Sequence, residues 1–515
     1  MSSERLIYSP VGVMRGSVDE NGVHILEQAQ KSKSDDSSIG VSCCATASSS
    51  PNAGLTDQQT ENYIPYHHII WCEASTTDNS STVLNIIYVN PASQKCQPRN
   101  IKIELENSPS INPFGSAGPE STTSIAQRIL SLAYSNHKAA PSILVIINPH
   151  GGRGKALEIY ESQILPILQA AKVTVHLKET THYQHAVEIA KTLDISQYDI
   201  IACCSGDGIP HEIINGFYQR PDKGLEAFEK IAVTQLPCGS GNALSLSTHG
   251  SNNAALATFS MLKAKRSKLD LMAVTQGQGL KQVTRLSFLS QCFGIISDAD
   301  IGTEHLRWMG AVRFDIGVVQ RVFSRAKYPC DLYVNYVTNS KAEVDYHYRE
   351  HSAKASSKTQ SPKSLTAQDF DLKYPPLDEK VPDNWTKVSE EISKNLNILY
   401  VGKLPYISND VQFFPAALPN DGSMDMVITD TNSSIWETTK ILLSLDKGLH
   451  VHNSNVQHSK ILAYRLVPRL PDITNHYLSI DGEDFPFEAL QVEVMPGVLT
   501  CLLPESGFVE TSFSK

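Results

Sequence analysis

The chain has 515 residues, of which 41% are hydrophobic and 19% are charged, and its formal net charge at pH 7 is −10. This length suits two or three domains with sizeable cores, and the composition is typical of a soluble globular protein. The acidic balance argues against a broad polyanion-binding surface, so we expect no nucleic-acid partner.

Residues 1–62 are rich in Ser, Thr, Asn, Asp and Gln without a sustained hydrophobic period, which predicts a disordered tail. The stretch from Met1 to Arg5 lacks the basic and apolar regions of a secretory signal, and no apolar run approaches the ~18 residues of a membrane span. None of the ten cysteines has the C-x-x-C spacing of a zinc site. We therefore expect a cytoplasmic protein with reduced thiols.

The next segments alternate in a way that predicts an α/β fold. Residues 63–135 contain short runs such as HHIIWCE and TVLNIIYV, which predict a small β-rich module. Between residues 140 and 268 the apolar runs ILVII, VTVHLKET and DIIACC are separated by helical patterns. This alternation predicts an α/β domain with a parallel sheet, whose ligands bind beyond the carboxyl ends of the strands.

Residues 269–494 carry short strand-like runs such as RLSFLSQCFGII and CDLYVNYV, which predict a mainly antiparallel β-sandwich domain. The interval of about 341–393 is polar and interrupted by prolines, so we interpret it as an insertion loop. Residues 495–515 form a C-terminal strand and tail, and a return of this segment to the α/β domain is left open.

Three glycine clusters follow predicted strands: INPHGGRGKA, CCSGDGIPHEIINGF and LPCGSGNALS. Backbone N–H groups in such turns, together with a helix N-terminus, are suited to cradle phosphate. The first cluster is not a Walker A loop, because Pro149 and Ala156 replace its Gly and Ser or Thr. It is not a dinucleotide fingerprint either, because Leu157 replaces the third glycine. A single cluster could be only a tight turn, but three in one α/β unit favour a site.

These stretches resemble the signature blocks of a known superfamily. NPHGGRGKA, SGDGIPHEIING and PCGSGNA are similar to the three blocks of the diacylglycerol-kinase-type lipid kinases. GIISDADIGTEHLRWMGAVRF and DGEDFPFEALQVEVMPGVLTCL narrow the resemblance to the sphingosine kinases, or sphingoid long-chain base kinases. The five blocks occur in family order and cover Ser142 to about Phe323 and about Asn395 to Leu502.

The resemblance implies an ATP-dependent kinase that phosphorylates the primary hydroxyl of sphingosine, dihydrosphingosine or phytosphingosine to give the 1-phosphate. It implies a nucleotide-binding α/β domain and a β-sandwich lipid domain that meet at a cleft, with Mg²⁺ accompanying ATP and no other metal. The residues that it places around ATP are Asn148, Pro149, His150, Thr180, Thr181, His182, Tyr183, Gln184, Glu212, Gly239, Ser240, Gly241, Arg307, Arg313, Asp481, Gly482 and Glu483. Those that it places at the lipid substrate are Ser205, Gly206, Asp207, Gly208 and Asp300.

Physical reasoning supports Asp207 and Asp300 in these roles. A primary alcohol is a poor nucleophile at neutral pH, so the reaction gains from a carboxylate such as Asp207 that orients the hydroxyl and takes its proton. The amine of a sphingoid base is mostly protonated near pH 7, so Asp300 would favour it over a neutral lipid. Arg307 and Arg313 could neutralise phosphate charge or lie on a solvated helix face. An Asp-Gly turn between strands is the alternative reading of Asp481.

Several alternatives stay open. A diacylglycerol or ceramide kinase would share the glycine clusters, and a catalytically inactive nucleotide-binding regulator could keep them. His450 and His452, on one face of a predicted strand, could bind a metal but lack a third ligand. Cys43 and Cys44 are lipidation candidates that would anchor the chain peripherally to the endoplasmic reticulum, Golgi, endosome or plasma membrane. A homodimer is also left open.

Overall fold

A computed structural model describes residues 13–28, 62–76, 82–93, 95–105, 121–135, 138–151, 154–303, 318, 320–356, 364–409, 411–470 and 476–514. Two compact units make up the chain. The first comprises Met1–Ala140 with Pro166–Val173, and the second comprises Pro141–Leu165 with Thr174–Lys515. No helix within the described part of the chain is long and apolar enough to cross a membrane.

The first unit contains a six-stranded sheet of order β3-β2-β1-β6-β5-β4, in which β1 runs parallel to β6. Its elements are β1 (Met14–Val18), β2 (Gly22–Gln28), β3 (Tyr63–Pro65), β4 (Ile69–Thr76), β5 (Thr82–Val89), β6 (Pro98–Leu105) and helix α1 (Thr122–Ala133). The side chain of Ser121 caps α1 by accepting the N–H of Ser124 at 3.2 Å. The hydroxyl of Tyr134 ties the end of α1 to the sheet by donating to the carbonyl of Ile70 at 2.7 Å.

The disordered-tail prediction for residues 1–62 is wrong for residues 13–28, which form β1 and β2. These two strands are short, and Val23 is fully buried while exposed Glu20 lies in the turn between them. Their pairing with β6, far along the chain, supplies the stabilisation that the local pattern does not reveal.

The second unit begins with the predicted alternation of strands and helices. Its first elements are β7 (Ser142–Ile147), α2 (Ala156–Ile159), a π-helical turn (Tyr160–Ile164), β8 (Thr174–Glu179), α4 (His185–Thr192), β9 (Ile200–Ser205), α5 (Gly208–Tyr218), α6 (Leu225–Lys230), β10 (Ala232–Pro237), α7 (Ala243–His249) and α8 (Ala254–Lys263). Helix α3 (Leu165–Ala170) follows the π-helical turn in the chain and belongs, from Pro166 on, to the first unit. Strands β10, β9, β7 and β8 lie side by side and pair in parallel, which confirms the predicted α/β class. Strands β9 and β10 are buried along their whole length, as expected where helices cover both faces.

The remainder of this unit is mainly antiparallel, as predicted. Its elements are β11 (Lys265–Gln276), β12 (Val283–Ser287), β13 (Ser290–Gly294), α9 (Ile295–Asp300), β14 (Cys330–Thr338), α10 (Lys341–Ser356), β15 (Thr386–Lys387), α11 (Glu390–Asn395), β16 (Leu396–Gly402), β17 (Met424–Asp430), α12 (Ile435–Leu443), β18 (Gln457–Pro468), β19 (Leu478–Ile480), β20 (Glu483–Phe485) and β21 (Leu490–Leu503). Strand β21 pairs with β11 and β18 and also, in parallel, with β10 at Cys501, so the C-terminal segment does return to the α/β half.

Two local predictions in this half are wrong. The interval of about 341–393 is not simply a loop, because it contains α10 and β15 and continues into α11. Its Phe370 is buried against Phe228 with ring centroids 5.8 Å apart, and the contact attaches the insertion to the α/β core. His450 and His452 lie in a 3₁₀ turn, not on a strand. His450 is buried, and its Nε2 hydrogen-bonds the carbonyl of Phe413 at 3.0 Å, which anchors this turn.

A buried cluster of charges joins β11 to the antiparallel strands. Lys403 Nζ lies 2.7 Å from Asp270 and 2.5 Å from Asp421, and Lys460 Nζ lies 2.7 Å from Asp425 and 3.2 Å from Asp421. Both lysines and Asp270 and Asp425 are fully buried. The neighbouring lysines hold the pKa of Asp421 well below its usual range against the opposing effect of burial. Each of these two lysines and three carboxylates therefore has an oppositely charged partner within 3.2 Å.

Candidate functional site

The three glycine-rich turns meet at one edge of the parallel sheet. The first follows β7 at Ile147, the second follows β9 at Ser205, and the third follows β10 at Pro237. Ser205 pairs with Pro237 across the two neighbouring strands. The carboxyl ends of parallel strands face the same way, so the turns form one continuous rim, where ligands of such sheets bind.

The second and third turns touch through glycine backbone. A Cβ on Gly239 would lie 2.2 Å from Cα and 2.3 Å from N of Gly206, which is closer than real side chains approach. A Cβ on Gly206 would lie 3.6 Å from Cα of Gly239, an ordinary contact. Gly239 is therefore required for the approach of the two turns, and this glycine keeps backbone N–H groups close to the sheet edge.

Asp207 stands at the N-terminus of α5, between these turns. Its Oδ1 accepts hydrogen bonds from the N–H of Ala243 at 2.8 Å and from Nε2 of Gln235 at 3.2 Å. Its Oδ2 points toward the third turn, where a Cβ on Gly241 would lie 2.4 Å away. Burial raises the pKa of Asp207 to about 6 despite the opposing hydrogen bonds. The carboxylate is thus fixed through one oxygen while the other is turned toward the rim.

Other residues that the resemblance places around ATP lie in the turns after β7 and β8 and on α5. Oδ1 of Asn148 accepts the N–H of His150 at 3.0 Å, which folds the first turn back on itself. The turn after β8 contains Thr180 to Gln184, with Thr180 buried and Tyr183 75% exposed. Glu212 connects α5 to the preceding helix α4, because its Oε2 accepts the N–H of Ala186 at 3.0 Å. Burial raises the pKa of Glu212 as well.

The late Asp-Gly-Glu turn reaches the start of α5 from the antiparallel half. Asp481 and Gly482 have φ values of +54° and +84°, as a tight turn between β19 and β20 requires. A Cβ on Gly208 would lie 3.0 Å from Oε1 of Glu483, so the carboxylate of Glu483 lies beside the first residue of α5. This places a second acidic group near Asp207.

Asp481 itself is fully occupied by internal hydrogen bonds. Its side chain is buried and accepts the hydroxyl of Ser287 at 2.6 Å and the N–H groups of Phe288, Leu289 and Ser290 at 3.0–3.2 Å. Nδ1 of His211, on α5, lies 2.8 Å from Oδ2 of Asp481. Asp481 therefore holds the β12–β13 connection and the helix that carries Asp207 in register.

The lipid-site candidate Asp300 ends α9 and is half-buried. The neighbouring Asp298 is buried and accepts the hydroxyl of Tyr328 at 2.6 Å and the N–H of Tyr477 at 3.0 Å, and its carboxylate lies 3.0 Å from Nδ1 of His476. These contacts fix the end of the helix that presents Asp300. Arg307 and Arg313, and the lipidation candidates Cys43 and Cys44, lie outside the described residues.

Sequence reasoning missed three residues that shape this site: His211, Gln235 and Asp298. His211 lies inside the second signature block, one residue before Glu212, so its place in the motif could have drawn attention to it. Gln235 lies in an apolar strand, and Asp298 lies two residues before Asp300. Only the structure shows that Gln235 bonds Asp207 and that Asp298 bonds Tyr328.

Comparison with known proteins places this arrangement in a class. The family model for the diacylglycerol kinase catalytic domain matches residues 142–274, the segment that contains all three glycine-rich turns. This match, together with the parallel sheet and the contact between the glycine-rich turns, assigns the protein to the kinases with a diacylglycerol-kinase-type catalytic domain.

Individual relatives narrow the class. Sphingoid long chain base kinase 5 of Saccharomyces cerevisiae is 40% identical over 479 residues, covering 84% of this chain and 68% of the relative. Sphingoid long chain base kinase 4 of Schizosaccharomyces pombe is 32% identical, covering 86% of this chain and 89% of the relative. Sphingosine kinase 1 of Mus musculus is 29% identical, covering 69% and 90%. The chain belongs to the sphingoid long-chain base kinase family, which confirms the resemblance inferred from the sequence.

Proposed function

We propose that this protein transfers the γ-phosphoryl group of ATP to the primary hydroxyl of a sphingoid base such as sphingosine, dihydrosphingosine or phytosphingosine. The observation that carries the proposal is the position of Asp207, whose Oδ1 is held by Ala243 and Gln235 while its Oδ2 faces the third glycine-rich turn. A fixed carboxylate beside backbone suited to phosphate is the arrangement that this reaction needs.

In the proposed complex, ATP lies along the rim. The third turn, Gly239–Gly241, faces its phosphates, because its glycines allow close approach of the backbone, and the first turn at Asn148–His150 borders them. The turn from Thr180 to Gln184, at the end of the neighbouring strand β8, and Glu212 border the rest of the nucleotide.

Asp207 acts as the general base in this proposal. The hydroxyl oxygen of the lipid attacks the γ-phosphorus, the bond from that phosphorus to the β–γ bridging oxygen breaks, and the hydroxyl proton passes to the Asp207 carboxylate. ADP and the lipid 1-phosphate result. A pKa near 6 suits this role, because the carboxylate is largely ionised at neutral pH and yet more basic than an ordinary Asp.

The acidic groups at the rim suit Mg²⁺, which prefers carboxylate oxygens and phosphate oxygens. Glu483 is the residue that we assign to it, because its carboxylate lies beside Gly208 at the start of α5. When bound, Mg²⁺ neutralises phosphate charge. The internally bonded Asp481 would position this turn without touching the metal, which refines its expected place among the ATP-site residues.

Asp300 is the proposed counterion of the substrate's amine, with Ser205, Gly206 and Gly208 beside the reacting hydroxyl. A carboxylate at that place favours a protonated amine over the neutral diacylglycerol or ceramide. We also propose peripheral association with membranes, because the substrate is a membrane lipid. Acylation of Cys43 and Cys44 is one route, and release of a lipid label by hydroxylamine would test it.

The direct test compares sphingosine, ceramide and diacylglycerol as acceptors in mixed micelles with the purified protein. We expect phosphorylation of sphingosine to dominate. Asp300→Ala should lose more activity with sphingosine than with a neutral acceptor, whereas the exposed Asp371→Ala should change neither. Preference for diacylglycerol or ceramide would contradict the substrate assignment, and absence of turnover with all three would favour the inactive-regulator alternative.

A further inference from the structure

Helix α12 (Ile435–Leu443) shows an apolar face on the side that does not pack on the core. Ile435 and Leu442 pack against the core cluster, and Thr438 and Ile441 are buried. On the opposite side Trp436 is 68% exposed and Leu443 is 77% exposed. These two residues are seven apart, so they share one face of the helix. Two large apolar side chains on one face are more than the scattered exposure that is normal for a surface.

Cations accompany this apolar face. Lys440, one turn beyond Trp436, is exposed, and its Nζ lies 5.5 Å from the centre of the Trp436 ring. Lys447 is exposed after the helix, and Leu449 beyond it is 47% exposed. Trp436, Lys440 and Leu443 follow one another at helical spacings of four and three, and Lys447 lies four residues further on, in the 3₁₀ turn Leu445–Lys447 that follows the helix. We call these four residues the α12 surface.

The charge around helix α12 is positive, whereas the net charge of the whole chain is negative. Arg325 donates to the backbone carbonyls of Thr431 and Ser433, which places residues 320–328 beside the start of α12. Residues 320–328 and 435–449 together contain five lysines and arginines and two carboxylates, and one of the cations, Arg321, pairs with Asp298 at 3.5 Å, whereas the whole chain carries a net charge of −10. A net positive surface on an acidic protein indicates a negatively charged partner.

We propose that the α12 surface docks on the surface of a membrane that contains anionic phospholipid. Trp and Lys are suited to this boundary, because an indole ring rests at the headgroup level and a lysine keeps its ammonium among the headgroups while its stem lies along lipid. A second copy of the chain is a poorer occupant, because a two-fold contact would bring the same cations face to face. The proposed membrane contact would give the protein access to a lipid substrate, and the inference rests on the proposed function in this respect alone.

The test measures sedimentation of the full chain with vesicles, in the absence of ATP and substrate. One vesicle preparation is phosphatidylcholine alone, and the other is phosphatidylcholine with about one third phosphatidylserine. The variants are Trp436→Ala/Leu443→Ser for the apolar part and Lys440→Glu/Lys447→Glu for the charge. Tyr346→Ala is the matched control, because Tyr346 is 69% exposed on a different helix, α10. Thermal unfolding verifies that each variant is folded.

We expect Trp436→Ala/Leu443→Ser to weaken binding to both vesicles by about tenfold or more, since two large side chains leave the lipid boundary. Lys440→Glu/Lys447→Glu should weaken binding to the anionic vesicles by about 25-fold or more and leave the neutral ones nearly unchanged. Tyr346→Ala should bind normally.

Three binding results would overturn the proposal: no vesicle binding by the parent protein, unchanged vesicle binding by Trp436→Ala/Leu443→Ser, or unchanged binding of Lys440→Glu/Lys447→Glu to the anionic vesicles. A fourth would be that the variants lose a dimer formed by the parent protein while their vesicle binding stays intact. The last would show that the α12 surface contacts a second copy. None of these outcomes depends on turnover, so failure of the docking surface and failure of the kinase assignment are separable.

Discussion

The contact between the second and third glycine-rich turns makes Gly239 the most sensitive position of the rim. In Gly239→Ala the new Cβ would lie 2.2 Å from Cα of Gly206. An ordinary contact between these two atoms needs a separation of at least 3.4 Å. Both partners are backbone, so the turns must separate by about 1 Å, a displacement that costs on the order of 100-fold in rate when it affects groups that position a reaction. We therefore expect kcat to fall by about that factor.

The neighbouring Gly206→Ala provides the matched control for the packing argument. Its Cβ would meet Cα of Gly239 at 3.6 Å, so the protein backbone should keep its place and the variant should unfold at the parental temperature. Gly239→Ala should lose about 1–3 kcal/mol of stability through overpacking. Steady-state kinetics with sphingosine and thermal unfolding are the assays. Gly239→Ala with kcat within threefold of the parent and unchanged stability would refute the reasoning.

Two further predictions follow from buried charge. Lys403→Met should lower the free energy of unfolding by about 3–5 kcal/mol in urea titrations, because it leaves the buried Asp270 without its lysine and Asp421 with only Lys460 of its two lysines; a loss below about 1 kcal/mol would contradict the pairing. Because burial raises the pKa of Asp207 to about 6 and only the ionised carboxylate accepts a proton, kcat/KM for sphingosine should decline about tenfold per pH unit below 6 and level off above it. A flat profile between about pH 4.5 and 7 would exclude this titration.

Much of the α/β half could be predicted from the sequence, because its strands are continuous apolar runs and its site turns are marked by glycine. The turns end neighbouring parallel strands, so their meeting follows from the topology once the strands are placed. The antiparallel class of the second half followed from its short apolar runs. These features are local in sequence, which is why periodicity reveals them.

The remaining features depend on contacts between distant segments. Strands β1 and β2 were missed because their stabilisation comes from β6, and α10 was missed because its polar composition resembles that of a loop. Likewise, the internal bonding of Asp481 by His211 and by the N–H groups of residues 288–290 joins segments almost 200 residues or more apart. A tight Asp-Gly turn could be recognised from sequence, but the use of its carboxylate could not.

The central claim, that Asp207 is the base of an ATP-dependent sphingoid base kinase, is tested most directly by Asp207→Asn. The amide keeps the shape of the side chain, so ATP binding measured by calorimetry and the unfolding temperature should stay close to those of the parent. Single-turnover phosphorylation of sphingosine should fall by about 10² to 10⁴-fold, because the proton acceptor is lost. A rate within threefold of the parent, with ATP binding intact, would contradict the account.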